Sequence, residues 1–450
     1  MTFNEYFESL RDKSVAIVGY GVSNRPIIPF LLEHGARVTV YDKKTVGELG
    51  AAALEDCRRG VAFVSGEKYL ERAEGDVIFR SPGIHPARFA GKSGVLTSEA
   101  EVFFEVAPCK IIGITGSDGK STTTTLISKI LTAAGYVTHL GGNIGTPLLP
   151  LVPTMKEDDV AVMELSSFQL MTMRRSPSVA VITNVAPNHL DIHKDMEEYI
   201  NAKKNIFLHQ KPGDRLVVNL DNPITSAFEA APGVIRAGFS LSGKDGGEGS
   251  VCYREGSLVQ NGEALFSSDR ILLPGRHNID NYMAAIAATA GMASVDHVLS
   301  VAENFGGVAH RLELVREKDG IRYYNSSIDS SPTRTNAALS VFIERKEKVV
   351  CILGGYDKHL DYAPIHDPVN AACAAVVLMG ATASKIDAAI GPELRREHAN
   401  DMREAVWLAT RLARQEGAKT VLLSPASASF DLFKNFEERG NIFRTLVREL

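Results

Sequence analysis

Short apolar runs alternate with longer amphipathic stretches along most of this chain, and glycine or small polar residues mark each change of period. SVAIVGYGVSNRPIIPFLLEHGARVTVYD, from Ser14 to Asp42, predicts a strand, a glycine turn, a helix and a second strand. DVIFRSPGI, from Asp76, predicts a later strand with a loop at its carboxyl end. GITGSDGKSTTTTLISKIL, from Gly113 to Leu131, predicts an apolar strand that breaks into a glycine-rich turn and then a helix. VTHLGGNIG, VAVMELSS and VAVITNV predict three more β-branched strands, each delivering polar residues at its end. Between Pro232 and Arg270 the helical period lapses around GKDGGEGS, which predicts loops and short antiparallel strands at a sheet edge. A helix, DNYMAAIAATAGM, follows. From about His310 the alternation resumes, with KVVCILGG, AVVLMGA and TVLLSPA as strands. The expectation is an α/β fold of three domains: a Rossmann-like one over 1–107, a P-loop ATPase-like one over 108–309 and a second Rossmann-like one over 310–450.

Composition narrows the class. At 450 residues the chain is too long for one ordinary core, and 44% hydrophobic with 23% charged is a soluble globular balance. A formal net charge of -5 gives no general reason to expect nucleic acid as a partner. The apolar runs are far shorter than a membrane span, and MTFNEYFESLRDK carries no export signal. Five scattered cysteines lack metal-ligand spacing and suit a reducing compartment, so the expected location is the cytoplasm.

The sharpest chemistry lies in the turn between Gly116 and Lys120. Backbone N–H groups of such a turn and of the helix start converge on phosphate oxygens, with Gly116 and Gly119 allowing the close approach. Lys120 adds a mobile positive charge, and the hydroxyl of Ser121 or Thr122 can hold Mg2+ against the phosphates. The spacing is a short variant, because Ile114 stands where the common motif has its first glycine. A nucleoside triphosphate is the expected ligand. Glu164, closing an apolar strand, is placed as a magnesium ligand beside that loop.

Other positions are less specific. Gly19, Gly21 and Asn24 with Asp42 form a dinucleotide-type turn that lacks its third glycine, which favours some nucleotide ligand over NAD in particular. Asn188, His189, Asp191 and His193 form a polar cluster without the third well-spaced ligand that zinc requires. Lys203 and Lys204 read as solvated helix lysines. Asn278, Asn281 and Arg311 are placed to hold adenine and phosphates, although helix caps account for the asparagines almost as well. Lys358 in GGYDKHLD and the serines of SPASASFDLFKNFEERG follow two late strands, where lysine can meet a ligand carboxylate, unless Asp357 or Asp361 pairs Lys358 instead.

Together, GSDGKST, GGNIG, MELSSFQL, NVAPNHLDIH, YINAKKNIF, GRHNIDN, AHRLE, GGYDKHLD and LSPASASFDLFKNFEERG resemble the Mur ligase family over nearly the whole chain. The resemblance implies an ATP-dependent amide ligase of cell-wall precursor synthesis. It implies UDP-N-acetylmuramoyl-L-alanine and D-glutamate as partners, ATP and two Mg2+ ions as cofactors, and a monomer. Carried over by motif, Ser23, Asp42, Ser81 and Gly83 would lie near the uridine diphosphate, and Asn143 near the muramoyl-alanine end. Lys120, Ser121, Glu164 and His189 would surround phosphate and magnesium, and Lys203 would be a carbamate supporting a second ion. Asn278, Asn281 and Arg311 would contact ATP, with Lys358, Ser429 and Phe436 around D-glutamate. Lys120, His189, Lys203 and Lys358 would be the catalytic set.

Two departures stand out. Asp118 occupies a place where many relatives carry asparagine, adding negative charge near a triphosphate. In YNSSIDSSPTRTN, Ser326 and Ile328 stand where a family aspartate and lysine are common, leaving Asp329, Thr333 and Arg334 as replacements after a local shift. An NAD-linked oxidoreductase would leave Lys120, Glu164 and both late loops without roles. An ATP-gated binding module would leave the late loops without a ligand.

Overall fold

The computed structural model describes residues 1–187, 192–273, 275–358 and 360–450. They form two compact units: Met1–Ile271 with Arg276–Glu303, and Leu272–Gly275 with Asn304–Leu450. The α/β reading holds in each, since parallel strands alternate with helices throughout.

The first unit contains two sheets. One has five parallel strands, β1 (Ser14–Val18), β2 (Arg37–Asp42), β3 (Ala62–Ser65), β4 (Val77–Arg80) and β5 (Val95–Thr97), in the order 3-2-1-4-5. The other has nine: β6 (Lys110–Thr115), β7 (Thr138–Gly142), β8 (Val160–Glu164), β9 (Val179–Ile182), β10 (Arg215–Asn219), β11 (Ile235–Ser240), β12 (Val251–Arg254), β13 (Ser257–Gln260) and β14 (Glu263–Ser267). Their order is 14-13-12-11-10-9-6-8-7, and only β12–β13 and β13–β14 pair antiparallel. The lapse of helical period after Pro232 is therefore an antiparallel extension at one sheet edge. One continuous apolar cluster runs through both sheets, from Ile17, Val40 and Phe79 through Phe103 to Leu149, Met163 and Ile182. The helix Glu99–Val106, buried over most of its length, carries the chain from one sheet to the other. Residues before and after position 107 thus share a core.

The second unit has a six-stranded sheet of β15 (Glu313–Lys318), β16 (Ile321–Asn325), β17 (Val349–Leu353), β18 (Cys373–Met379), β19 (Arg395–Ala399) and β20 (Thr420–Leu423), in the order 15-16-20-17-18-19. Only the β15–β16 pair is antiparallel. Two apolar clusters cover its two faces, one with Phe443 and Leu412, the other with Phe342 and Ile386.

In each sheet one strand has neighbours reached by connections of opposite sense: β1 between β2 and β4, β6 between β8 and β9, β17 between β20 and β18. At such switch points the loops part and leave a crevice at the carboxyl ends. The glycine turn after β1, the phosphate loop after β6 and the Lys358 loop after β17 all fall there.

Candidate functional site

The phosphate loop is built by backbone that only glycine accepts easily. Gly116 has φ +149° and Gly119 has φ +78°. A Cβ on Gly119 would come within 2.5 Å of Asn281 Oδ1, and one on Gly116 would run into the Thr183 hydroxyl. The helix Lys120–Ala133 starts at once, despite a run of threonines with poor helix propensity. Their hydroxyls turn back on the helix itself, Thr124 Oγ1 donating to Lys120 O at 2.8 Å and Thr125 Oγ1 to Ser121 O at 2.7 Å. Behind the loop, the end of β9 clamps residue 118 by its backbone. Asp118 N donates to Asn184 Oδ1 at 3.0 Å, and Thr183 Oγ1 donates to Asp118 O at 2.5 Å. Asp118 itself is exposed, so its charge is solvated.

Two lysines meet at this loop. Lys120 Nζ donates to Gly116 O at 2.9 Å and Ser117 O at 2.8 Å. Lys203 Nζ donates to the same Gly116 O at 2.8 Å and to Thr115 Oγ1 at 3.4 Å. Lys203 projects from the helix Met196–Lys204, which Asp195 caps by accepting Glu198 N at 2.8 Å. Its ammonium lies 4.6 Å from the centre of the Tyr199 ring, whose hydroxyl meets Ser117 Oγ at 2.9 Å. Lys203 is 1% exposed, so the solvated reading of this lysine is wrong. Burial, then the nearby charge of Lys120, hold it well below the usual lysine range, against the opposing pull of Asp118 and Glu164. Its neighbour Lys204 is half-buried, with its Nζ 5.6 Å from the centre of the Phe228 ring.

Across the sheet end, Glu164 is buried with both oxygens engaged. Ser121 Oγ donates to Oε2 at 2.6 Å, and Asn143 Nδ2 to Oε1 at 2.8 Å. The hydroxyl and carboxylate are hard oxygen donors of the kind magnesium takes, with phosphates and water filling the remaining positions. Among the described residues no group of three or more His, Cys, Asp or Glu forms a metal cluster, so these donors fit an ion completed by substrate. Asn281 joins the loop by accepting from Thr123 Oγ1 at 3.2 Å, and its Nδ2 donates to Asn278 Oδ1 at 2.9 Å. Both asparagines lie within the helix Arg276–Thr289 and so are not caps ahead of it. Thr122 is buried on the helix Lys120–Ala133 beside Ser121. Asn188, His189 and Asp191 lie outside the described residues. His193 is buried, meets Ser167 Oγ at 2.9 Å and stacks on Phe168.

At the first sheet, Gly19 (φ +90°) lies so close to the next turn that a Cβ would come within 2.8 Å of Ser81 Cβ. Asp42 Oδ2 accepts Tyr20 N at 2.8 Å, and Asn24, 1% exposed, donates from Nδ2 to Val18 O at 3.2 Å and Gly19 O at 3.1 Å. Ser23 sits half-buried in the same turn, and Gly83 is exposed beyond Ser81. The sequence reading passed over Arg80, which is fully buried and hydrogen-bonds carbonyls in the segments that follow strands of both sheets.

In the second unit, Lys358 Nζ lies 5.8 Å from the centre of the Phe430 ring. The aspartates weighed as its partners have other bonds: Asp357 accepts from Lys385 Nζ at 2.6 Å, and Asp361 accepts the Ala363 amide at 2.9 Å. Ser429 is buried, and Phe436 accepts the Ser327 hydroxyl on its carbonyl at 2.8 Å. Asp329, not Ser326, supplies the carboxylate of its loop. Ser424 Oγ donates to it at 2.8 Å, and burial pushes its carboxyl up to about 6 against hydrogen bonds from Ser326 and Ser424 and the charges of Arg311 and Arg334. Thr333 is exposed. Arg439 was also missed. It is buried, and its guanidinium donates to Ser327 Oγ and O and to the carbonyls of Ser427 and Ala428, tying the loop after β16 to the loop after β20. Neither buried arginine stands out in sequence, where each reads as one more surface charge.

Comparison with known proteins agrees with this architecture. The Mur ligase middle domain matches residues 114–289, and the Mur ligase glutamate ligase domain matches residues 310–427. The chain is 46% identical over 462 residues to the UDP-N-acetylmuramoylalanine--D-glutamate ligase of Clostridium botulinum (strain Alaska E43 / Type E3), covering 100% of this chain and 99% of that protein. It is 44% identical over 466 residues to the protein of that name from Ruminiclostridium cellulolyticum, covering 99% and 98%. Among solved structures it resembles the UDP-N-acetylmuramate-alanine ligase of Thermotoga maritima, with a TM-score of 0.58, 15% identity and coverage of 97% and 99%. It also resembles the MurF ligase of Thermotoga maritima, solved in complex with ADP, with a TM-score of 0.56, 17% identity and coverage of 99% and 97%. Fold, loop chemistry and full-length relatives define one class of enzyme, the carbon–nitrogen ligases that assemble peptidoglycan precursors. The chain belongs to the Mur ligase family.

Proposed function

We propose that this chain uses ATP to join the L-alanine carboxylate of UDP-N-acetylmuramoyl-L-alanine to the amine of D-glutamate, acting as a monomer in the cytoplasm. The observation that carries the reading is the meeting of Lys120 and Lys203 on the Gly116 carbonyl beside the Ser121–Glu164 pair. The Lys120 ammonium and the amide donors of the helix start are concentrated where a triphosphate would place its charge, with Lys203 Nζ beside them. The full-length relatives that bear the D-glutamate ligase name support the choice of substrates. No helix among the described residues is long and apolar enough to cross a membrane, in keeping with freely diffusing nucleotide substrates.

In this chemistry a carboxylate oxygen of the alanine attacks the γ-phosphorus, and the bond from that phosphorus to ADP breaks, giving an acyl phosphate. The D-glutamate amine attacks the acyl carbon, loses a proton, and the tetrahedral intermediate expels inorganic phosphate. Lys120 and the loop amides balance charge on the transferring phosphoryl group. Ser121 and Glu164 would hold Mg2+, which supplies charge neutralisation at the phosphates when bound. His189 is assigned to the same ion or to the phosphorylated carboxylate. Lys203, whose burial and whose neighbour Lys120 favour the neutral amine, is suited to add to carbon dioxide through its nitrogen lone pair and release a proton, leaving a carbamate that would support a second ion. The turns at Ser23, Asp42 and Ser81–Gly83 take the uridine diphosphate part, with Asn143 near the muramoyl-alanine end. Asn278, Asn281 and Arg311 take ATP, and Lys358, Ser429 and Phe436 take the amino acid.

The test is phosphate release measured over a panel of D- and L-amino acids, with and without UDP-N-acetylmuramoyl-L-alanine. Release only with the nucleotide sugar and D-glutamate together is expected. Equal release with another amino acid would reassign the late loops, and release without the nucleotide sugar would overturn the reading.

A further inference from the structure

Arg80 closes β4, is 0% exposed, and sits directly before the Ser81–Pro82–Gly83 turn. Its guanidinium divides its donors between two sheets. Nη1 donates to Pro82 O at 3.2 Å and Ile84 O at 2.7 Å, on either side of Gly83. Nη2 donates to Phe168 O at 2.8 Å and Thr172 Oγ1 at 3.4 Å, in the segment that leaves Glu164. Phe168 belongs to the one-turn helix Ser167–Leu170, whose backbone is set by a reciprocal cap between Ser166 and Gln169. One rigid planar group therefore fixes the substrate turn of the first sheet against the strand-end loop that carries Glu164.

Holding a guanidinium there is costly. Burial lowers Arg80 to about 10, its Nε is buried without a hydrogen-bond partner, and all four acceptors it reaches are neutral. A compensating charge comes from Glu101, whose own burial raises it to about 7 and which Arg174 also attracts. For packing alone, an apolar side chain of similar volume at the end of this otherwise apolar strand would serve as well or better. What an apolar side chain cannot do is hold four oxygens from two loops at fixed separations. A lysine could not either, since it presents a single point charge on a flexible stem.

We propose that Arg80 is a positioning residue that fixes the reach between the nucleotide-sugar turn at 81–83 and the Glu164 loop, so that the alanine carboxylate arrives in line with the γ-phosphate. The inference rests on the substrate reading above. Arg80 touches no reacting atom, so its removal should leave each substrate bound and slow only their encounter, because small displacements between reacting groups cost rate steeply.

The test compares Arg80→Lys and Arg80→Met with the unaltered full chain. Dissociation constants for UDP-N-acetylmuramoyl-L-alanine and for ATP are measured separately by calorimetry, alongside kcat and the thermal midpoint. The expected result in both variants is dissociation constants within about 3-fold of the parent and kcat reduced about 30- to 100-fold. Thr172→Val, which leaves Arg80 in place but removes its bond on the far side together with the hydrogen bond between Thr172 and Glu101, should lower kcat by about 3-fold with binding unchanged. Undiminished kcat in Arg80→Met overturns the inference. So does a loss of nucleotide-sugar affinity that accounts for the whole fall in kcat/KM, since Arg80 would then only shape its own turn. If the variants unfold, the Thr172→Val result decides alone, and unchanged kcat there counts against the proposal. Failure of the parent chain to bind the nucleotide sugar would refute the substrate reading instead.

Discussion

Strands β1 and β6 both run into a glycine with positive φ at the switch point of their sheets, +90° at Gly19 and +149° at Gly116, and the chain then does two different things. After Gly19 the Tyr20 amide is committed to the Asp42 carboxylate, and Asn24 fills the space behind the turn with its amide on two strand carbonyls. The chain continues through the short 3-10 turn Arg25–Ile27 into a helix of only six residues. After Gly116 the chain passes through residues 117–119 into a fourteen-residue helix, and two lysine side chains meet on the Gly116 carbonyl, with Asp118 exposed in the turn. The topology is the same and the side chains set against each turn differ. An anionic side chain on the leading amide removes a donor from any ligand, which under the proposed assignment favours a grip farther along, at Ser23 and at Ser81–Gly83. At the second turn the Ser117 and Asp118 amides are bonded to Asn184, which leaves the helix start and Lys120 as the donors suited to phosphate. A glycine turn after a parallel strand marks where a ligand sits, and the charge at the neighbouring strand ends selects which part of it.

The sharpest way to break this contrast is Lys120→Ala (K120A). Removing one charge from a developing phosphoryl transition state should lower turnover by roughly 100-fold or more, while calorimetric affinity for the uridine nucleotide stays near that of the parent. Normal turnover in that variant would mean the second turn is no phosphate site. Lys203→Ala follows closely. It should be nearly inactive, and a short-chain carboxylic acid should restore part of the activity by placing a carboxylate where the carbamate would stand. Lys204→Ala, altered at the next position of the same helix, should need no rescue. Full activity of Lys203→Ala in carbon-dioxide-depleted buffer would return Lys203 to a packing role.

The contrast was only half legible in sequence. The apolar periods located the strands and their polar ends, and the glycine-lysine-hydroxyl run fixed the phosphate loop, because each depends on residues adjacent in the chain. What depends on burial was not visible. Lys203 and Arg80 have the same composition signature as any surface cation, and only packing against Tyr199 or against the Phe168 segment distinguishes them. Asn24 looked like a defective third glycine, yet its side chain completes the turn with hydrogen bonds that no glycine could make. In the 325–336 stretch the sequence already offered Asp329 as a replacement where Ser326 fails to match, but its burial and the bond it accepts from Ser424 Oγ come only from the fold. The edge extension after β11 was legible, because turn residues at short intervals leave no room for helices.

A matched pair of glycine substitutions sharpens the division of labour. Gly19→Ala forces a Cβ to within 2.8 Å of Ser81 Cβ, and Gly119→Ala forces one to within 2.5 Å of Asn281 Oδ1. Steady-state kinetics should show the Michaelis constant for the nucleotide sugar raised about 10-fold in the first and that for ATP raised about 10-fold in the second, each leaving the other within a factor of about two. A shared effect on both constants would merge the two turns into one functional element. Asn24→Gly tests the first turn from the opposite direction, since it supplies the glycine that a dinucleotide fingerprint expects. It should cost about 1–3 kcal/mol in denaturant unfolding by removing the buried amide's hydrogen bonds, and it should create no NADH affinity by fluorescence.

The smallest effect expected comes from the helix joining the two regions. Glu99 is buried at its start and accepts the Leu149 amide at 2.9 Å. Burial raises its carboxyl to about 7, against the pull of the Leu148 and Leu149 amides. The native chain therefore holds a proton there that the unfolded chain gives up near the ordinary glutamate value. The stability linked to that proton is present at low pH and is lost as pH rises through about 7. Glu99→Gln keeps a carbonyl acceptor and has no charge to bury. Denaturant unfolding at pH 5 and pH 8 should find the parent and the variant nearly equal at pH 5. At pH 8 the variant should be more stable by on the order of 1 kcal/mol. Glu101 and Asp280 are raised to about 7 as well and tilt the parent in the same direction, so the difference between the two proteins isolates Glu99. Because one apolar cluster spans both sheets, the gain should move the unfolding of both together. A gain confined to signals from the second sheet would show that the two glycine turns belong to separately unfolding bodies, and equal pH slopes in parent and variant would place the Glu99 charge in contact with water.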